Sequence, residues 1–182
     1  YRFANDQLES ARHYLKSNPS FKLLYQDQHS LAFLTPLLFI LPSNVTKTIV
    51  VDSTYGTNRL KYELFAILGT IDGSGFPLSY FFLEPKCPYG KTHAIATWFQ
   101  SLKENGIQNV KTILTDKDRG QISAANKIWT GTRIQLCYWH VLRAIKKKLS
   151  STGIAHNYYN SHEAHLLCPT INPAWQPVNQ NQ

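Results

Sequence analysis

Residues 47–84 hold three strand-length runs of aliphatic and aromatic residues separated by turn formers, and no other stretch restricts the fold so strongly. The runs are KTIVVDSTY (47–55), LKYELFAILGTI (60–71) and FPLSYFFLE (76–84). Gly56-Thr57-Asn58 offers a turn between the first two, and Asp72-Gly73-Ser74-Gly75 a hairpin turn between the last two. Asp-Gly pairs readily adopt the positive φ angles that a two-residue hairpin loop demands. The block predicts a three-stranded antiparallel meander. Its runs are nearly continuous in hydrophobicity, which predicts a sheet covered on both faces.

Beyond residue 90 the period changes. HAIATWFQSLKENG (93–106) sets Ile95, Trp98, Phe99 and Leu102 at helical spacing, with Gly106 as the stop. VKTILTD (110–116) predicts a strand, GQISAANKIW (120–129) a helix, RIQLCYW (133–139) a strand and HVLRAIKKKLSS (140–151) a basic helix. The order β-β-β-α-β-α-β-α is an α/β fold with a mixed sheet, the order of ribonuclease-H-like domains, and is expected to be incomplete at its C-terminal end. Residues 45–151 form this core in the prediction. Residues 1–44 are expected to be an N-terminal helical segment, since DQLESARHYLKS carries Leu8, Ala11 and Leu15 at spacings of three and four before Asn18-Pro19. Residues 152–182 are expected to be the start of an insertion or a polar tail, Pro-, Asn- and Gln-rich from residue 170.

A chain of 182 residues with 43% hydrophobic residues suits one globular domain with or without a tail. It begins at Tyr1 and contains no Met, so a processed piece, a cut-out domain or a fragment is expected. Three cysteines do not suggest a disulfide framework and favour an intracellular setting. No stretch reads as a signal peptide, and LAFLTPLLFILP (31–42) is too short to span a bilayer. The net charge of +8 is uneven: residues 1–118 hold 12 Lys/Arg against 10 Asp/Glu, residues 119–182 hold 7 against 1. A basic C-terminal third suits a polyanionic partner as well as a plain solvated surface.

The chemistry-bearing residues sit at strand ends. Asp52 follows Ile49-Val50-Val51, and Asp116 ends the fourth strand in ILTDKDRG. If those strands are neighbours, the two carboxylates converge where function gathers in α/β sheets. Paired carboxylates repel unless a cation lies between them, and Mg²⁺ or Mn²⁺ suits such oxygen donors. The alternative for either acid, Asp118 included, is a turn or helix N-cap.

VVDSTYGTNRLKYELFAILG, GFPLSYFFLE, ILTDKDRGQISA and QLCYWHVLRA resemble, in order and spacing, the transposase domain of Mutator-like elements (MULE). The resemblance runs from about residue 45 to about residue 150. It implies a ribonuclease-H-like nuclease with an Asp-Asp-Glu metal triad that cuts and rejoins DNA at transposon ends, in the nucleus, by water or 3′-hydroxyl attack. It places the first acid on Asp52 and the second on Asp116, with Asp118 a neighbour. The third acid is expected outside this chain: Glu163 is the only acidic residue after Asp118, and its surroundings, NSHEAHLLC, do not match the family's site. An ordinary ribonuclease H would need a glutamate inside the helix after the third strand, where only Glu104 occurs, at the far end.

Cys137 and His140 have the spacing of half a zinc site, with His162, His165 and Cys168 as a possible second half. The other reading is a buried strand cysteine and a histidine at a helix start. Arg143, Lys146 and Lys147 lie on roughly one helical face, suited to DNA phosphates or to a helix C-terminus. Cys87 reads as incidental, and His13, His29 and His93 have no evident partner. Tyr55, Tyr80, Phe81, Phe82 and Trp98 are expected in the core. A DNA-binding regulator derived from a transposase, without catalysis, and an inactive truncated copy remain the alternatives, and association with a second copy of the chain stays open.

Overall fold

The structure, a computed structural model, describes residues 6–151 and 160–174. It divides into two units, Tyr1–Val141 and Leu142–Gln182.

The first unit is built on a seven-stranded mixed sheet of order β1-β2-β5-β4-β3-β6-β7. The expected meander is its centre: β3 (Thr48–Thr54), β4 (Glu63–Ile71) and β5 (Ser74–Leu83) pair antiparallel. Asp72 and Gly73 take φ of 48° and 77° and close the β4–β5 hairpin, with Ile71 opposite Ser74. Helices α3 (Lys91–Glu104) and α4 (Arg119–Ile128) then carry the chain back, so that β6 (Thr112–Thr115) lies parallel to β3 and β7 (Arg133–Leu136) parallel to β6. The last predicted strand is shorter than expected. It stops at Leu136, and α5 (Tyr138–Ser151) begins two residues later, so Tyr138 and Trp139 are helical.

The N-terminal segment is helical only in part. Asp6 accepts a hydrogen bond from the N–H of Glu9 (2.8 Å) and caps α1 (Gln7–Ser17). Lys22–Gln26 and Ser30–Leu34, expected to be helical or simply apolar, form an antiparallel hairpin, β1 and β2. β2 pairs with β5 and so extends the sheet. The turn explains the difference: the Asp27 carboxylate accepts hydrogen bonds from the hydroxyls of Tyr25, Tyr89 and Ser30 and from the N–H of His29. A short helix, α2 (Leu37–Ile40), and a single 3₁₀ turn, Ser43–Thr46, lead into β3. No helix among the described residues is long and apolar enough to cross a membrane.

α3 and α4 pack on one face of the sheet over Phe65, Phe81, Ile49, Val51 and Ile113, all buried. Trp98 stacks on Phe81 at 5.2 Å, and its indole N–H donates to Ser79 Oγ (3.0 Å), which donates to the Phe33 carbonyl (2.8 Å). Every polar group in that buried chain is satisfied. Gly69 lets the Val45 segment lie against β4: a Cβ there would be 2.5 Å from Val45 Cγ2 and 2.7 Å from its carbonyl oxygen. The opposite face differs from the expected full cover. Leu8 and Leu15 of α1 pack near Leu31, Phe33 and Phe82, but across the sheet Val50, Leu64, Ala66 and Leu68 are half-buried and Asp52 and Thr54 exposed.

The second unit holds α5 from Leu142 onward and α6 (Ser161–Leu167), whose N–H groups at His162 and Glu163 donate to the Asn160 side chain. Of the expected insertion or tail, residues 152–159 and 175–182 lie outside the described residues.

Candidate functional site

The β3–β6 ladder ends on the pair Val51–Thr115, and the next residue on each strand is an aspartate. Val51 and Thr115 are buried beneath the helices, so side-chain alternation turns Asp52 and Asp116 to the opposite face. Neighbouring strands lie about 4.7–4.9 Å apart, which makes the two residues lateral neighbours. Asp52 is exposed and Asp116 half-buried. Each carboxylate is held by one oxygen: Asp52 Oδ1 accepts the N–H of Ser53 (2.9 Å), and Asp116 Oδ1 accepts the N–H of Asp118 (2.9 Å). Among the described residues, the second oxygen of each accepts no hydrogen bond.

The N-cap of α4 is Asp118, not Asp116. Asp118 Oδ1 accepts the N–H of Gln121 (3.0 Å), and Oδ2 accepts Lys91 Nζ (2.7 Å). Lys91 also donates to Oε1 of Glu63 (2.9 Å), a carboxylate that is 2% exposed at the start of β4, and lies 5.2 Å from the Phe65 ring centroid. Burial opposes both charges, but the mutual hydrogen bonds outweigh it: the Lys91 pKa is raised, and Lys91 with the Gln121 N–H holds the Asp118 carboxyl below its usual range. The Gln121 side chain, 1% exposed, accepts from Thr115 Oγ1 (2.6 Å) and reaches Ser53 Oγ at 3.5 Å, a long contact.

The other predicted residues fall as follows. Cys137 is half-buried between β7 and α5, not on the strand, and its N–H continues the ladder to the Thr115 carbonyl (2.8 Å). His140 is half-buried in the first turn of α5, its Nδ1 buried without a hydrogen-bond partner among the described residues. His165 Nδ1 meets the Ile171 carbonyl (2.7 Å), and Cys168 Sγ meets Thr170 Oγ1 (3.1 Å). Among the described residues no three or more His, Cys, Asp or Glu side chains come together around a common ion position, and Cys87, Cys137 and Cys168 are all free thiols. Glu163 is exposed in the first turn of α6, and Arg143, Lys146 and Lys147 are exposed on α5, all four in the second unit. Phe81 and Trp98 are core as expected, Tyr80 and Phe82 are half-buried, and Tyr55 is instead 63% exposed. His29 and His13 do have partners: His29 Nδ1 lies 2.5 Å from Glu84 Oε2, and His13 Nε2 lies 3.5 Å from Glu9 Oε1.

Glu63, Lys91 and Gln121 escaped the sequence reading. Asp118-x-x-Gln121 does match capping-box spacing, and a glutamate opening an apolar strand needs a cation nearby. Only the fold shows that Lys91, 28 residues after Glu63, supplies it.

No curated protein matches the chain. Among solved structures, the chain is similar to one in the cryo-EM structure of the simian T-cell lymphotropic virus intasome in complex with PP2A regulatory subunit B56 gamma. The identity is 14% and the TM-score 0.34, over 92% of this chain and 54% of that one; the chain thus spans about half of that protein's length. The MULE transposase domain family matches residues 48–144, from the start of β3 into α5 and more than half of the sequence. This chain belongs to the MULE transposase domain family.

Proposed function

We propose that the chain is the front part of a ribonuclease-H-like transposase core in which Asp52 and Asp116 together hold a divalent metal, Mg²⁺ or Mn²⁺, for cleavage and joining of DNA phosphodiesters at transposon ends. The observation that carries the reading is the position of both aspartates one residue beyond the Val51–Thr115 pair. Membership of the MULE family supports the transposase setting, in which the work is nuclear and the substrate DNA. The strand order supports the fold: within the seven strands, β5-β4-β3-β6-β7 is an antiparallel meander followed by two parallel strands.

The donor set fits the ion. Both groups are carboxylates, hard oxygen ligands. Each commits one oxygen to a backbone N–H, which fixes its orientation, and leaves the other available among the described residues. A bound divalent ion supplies activation of water or a 3′-hydroxyl and stabilisation of the leaving oxygen. Asp52 is exposed, so a phosphate can reach it; Arg59, Lys61 and Lys117 are exposed on the loops that follow β3 and β6 at the same end of the sheet, and Arg119 is exposed at the start of α4. Such cations contact phosphates without reading sequence.

Calorimetric titration of the 182-residue chain with Mn²⁺ tests the ligand pair. Wild type is expected to bind, and Asp52→Asn or Asp116→Ala to lose binding with the far-UV spectrum unchanged; binding that survives both substitutions refutes it. Because the third acid is expected outside these 182 residues, incubation of the full-length protein with transposon-end DNA and Mg²⁺ separates the enzyme from the regulator reading: nicking by wild type but not by Asp52→Asn supports the enzyme, and DNA binding with intact strands supports the regulator.

A further inference from the structure

We propose that Gln121 is the positioning residue of the carboxylate pair, tying the ends of β3 and β6 together from the helix face so that Asp52 and Asp116 keep their spacing on the other. The inference rests on the reading of those two aspartates as metal ligands.

The argument begins at the cap of α4. In an ordinary capping box the N-cap side chain takes the N–H of the third helical residue, and that residue's side chain returns to the N–H of the cap. Half of this is present: Asp118 Oδ1 accepts the Gln121 N–H at 3.0 Å. The other half is diverted. The Asp118 N–H donates to Asp116 Oδ1 at 2.9 Å, so the donor that a capping glutamine would take orients the candidate ligand instead. The Gln121 carboxamide, released from the cap, is buried to 1% exposure against the sheet. There it accepts Thr115 Oγ1 at 2.6 Å, and its amide nitrogen faces Ser53 Oγ at 3.5 Å.

Thr115 directly precedes Asp116, and Ser53 directly follows Asp52. Alternation sends Thr115 and Ser53 to the helix face and the aspartates to the other. One side chain therefore spans the two strands one residue from each carboxylate, at the point where the regular β3–β6 pairing ends. A full glutamine length is required, because the link runs from the first turn of α4 down to two strands. Because Thr115 is 1% exposed, no water replaces its hydrogen bond.

Mn²⁺ titration of the 182-residue chain, with thermal unfolding recorded for every variant, tests the proposal. Gln121→Met keeps the length and removes the polar atoms; it is expected to weaken Mn²⁺ binding by roughly tenfold, as loss of an outer support for a metal ligand does. Thr115→Val is expected to weaken it similarly, Thr115→Ser to retain it, and the double variant Gln121→Met/Thr115→Val to bind no more weakly than either single variant. That pattern follows the hydroxyl rather than the packing. If Gln121→Met fails to fold, Thr115→Val against Thr115→Ser decides. Affinities within twofold of wild type in Thr115→Val and any folded Gln121→Met, with Asp52→Asn having lost binding, overturn the positioning role and leave the metal site standing. Absence of Mn²⁺ binding in wild type, or binding that survives both Asp52→Asn and Asp116→Ala, overturns the metal reading and this proposal with it.

Discussion

Replacing Lys91 by methionine removes the cation that, among the described residues, joins Glu63 and Asp118, while preserving most of the side chain's length and packing. Lys91 Nζ lies 2.9 Å from Glu63 Oε1 and 2.7 Å from Asp118 Oδ2. Loss of one partner of a fully buried ion pair costs about 3–5 kcal/mol, chiefly because the remaining charge is left in a poor dielectric. The Glu63 side chain is 3% exposed and meets that condition, whereas Lys91 is 33% and Asp118 21% exposed. Water reaches that side of the gap and screens it, which lowers the expected cost to about 2–3 kcal/mol. For a chain of this size that is a fall of roughly 5–10 °C in melting temperature. Urea unfolding followed by tryptophan fluorescence reads it out, since Trp98 and Trp129 are buried in the same core. A lowered midpoint with an unchanged m-value is the expected result. The double variant Lys91→Met/Glu63→Met should recover a large part of the loss, because a well-packed apolar pair can replace a buried ionic one. A single variant within about 0.5 kcal/mol of wild type, the usual range for a surface substitution, would show that Glu63 does not depend on Lys91 and refute the reasoning.

The Asp27 turn predicts a pH response. Burial opposes ionisation, but the Tyr25, Tyr89 and Ser30 hydroxyls and the His29 N–H hold its pKa at about 2, below the ordinary 3.8. A carboxyl depressed on folding contributes stability that is present above its unfolded pKa and lost as pH falls through the folded one. Melting temperatures of wild type and Asp27→Asn should therefore differ most above pH 4 and converge between pH 4 and pH 2; a constant gap across that window contradicts the assignment. Gly69→Ala should destabilise by about 1–3 kcal/mol, because the new Cβ meets Val45 backbone as well as side chain and the core must shift; an unchanged urea midpoint would show that the Val45 turn yields freely.

The meander, the helix–strand alternation and the two aspartates were legible in the sequence because each has a local cause. Asp72-Gly73 dictates its own turn, apolar periodicity marks α3, and an acid directly after Ile-Val-Val stands out without reference to anything distant. The hairpin Lys22–Leu34 was not legible, since its turn is secured by Tyr89, 62 residues from Asp27. Nor was the end of β7 at Leu136: RIQLCYW reads as one strand, and α5 nevertheless begins within it.

By itself the sequence determined the order of the elements from β3 to α5, the membership of the family and the identity of the candidate ligands, all of which depend on residue type and spacing along the chain. The tertiary structure alone decided that Asp52 and Asp116 directly follow the last pair of one parallel ladder, that Asp118 rather than Asp116 caps α4, that Lys91 joins Glu63 to Asp118, and that the Gln121 side chain bonds Thr115. Those facts depend on strand register and on charges brought together from sites 27 and 28 residues apart. Register is set by burial of one sheet face against α3 and α4, a constraint that exists only once the whole sheet has formed.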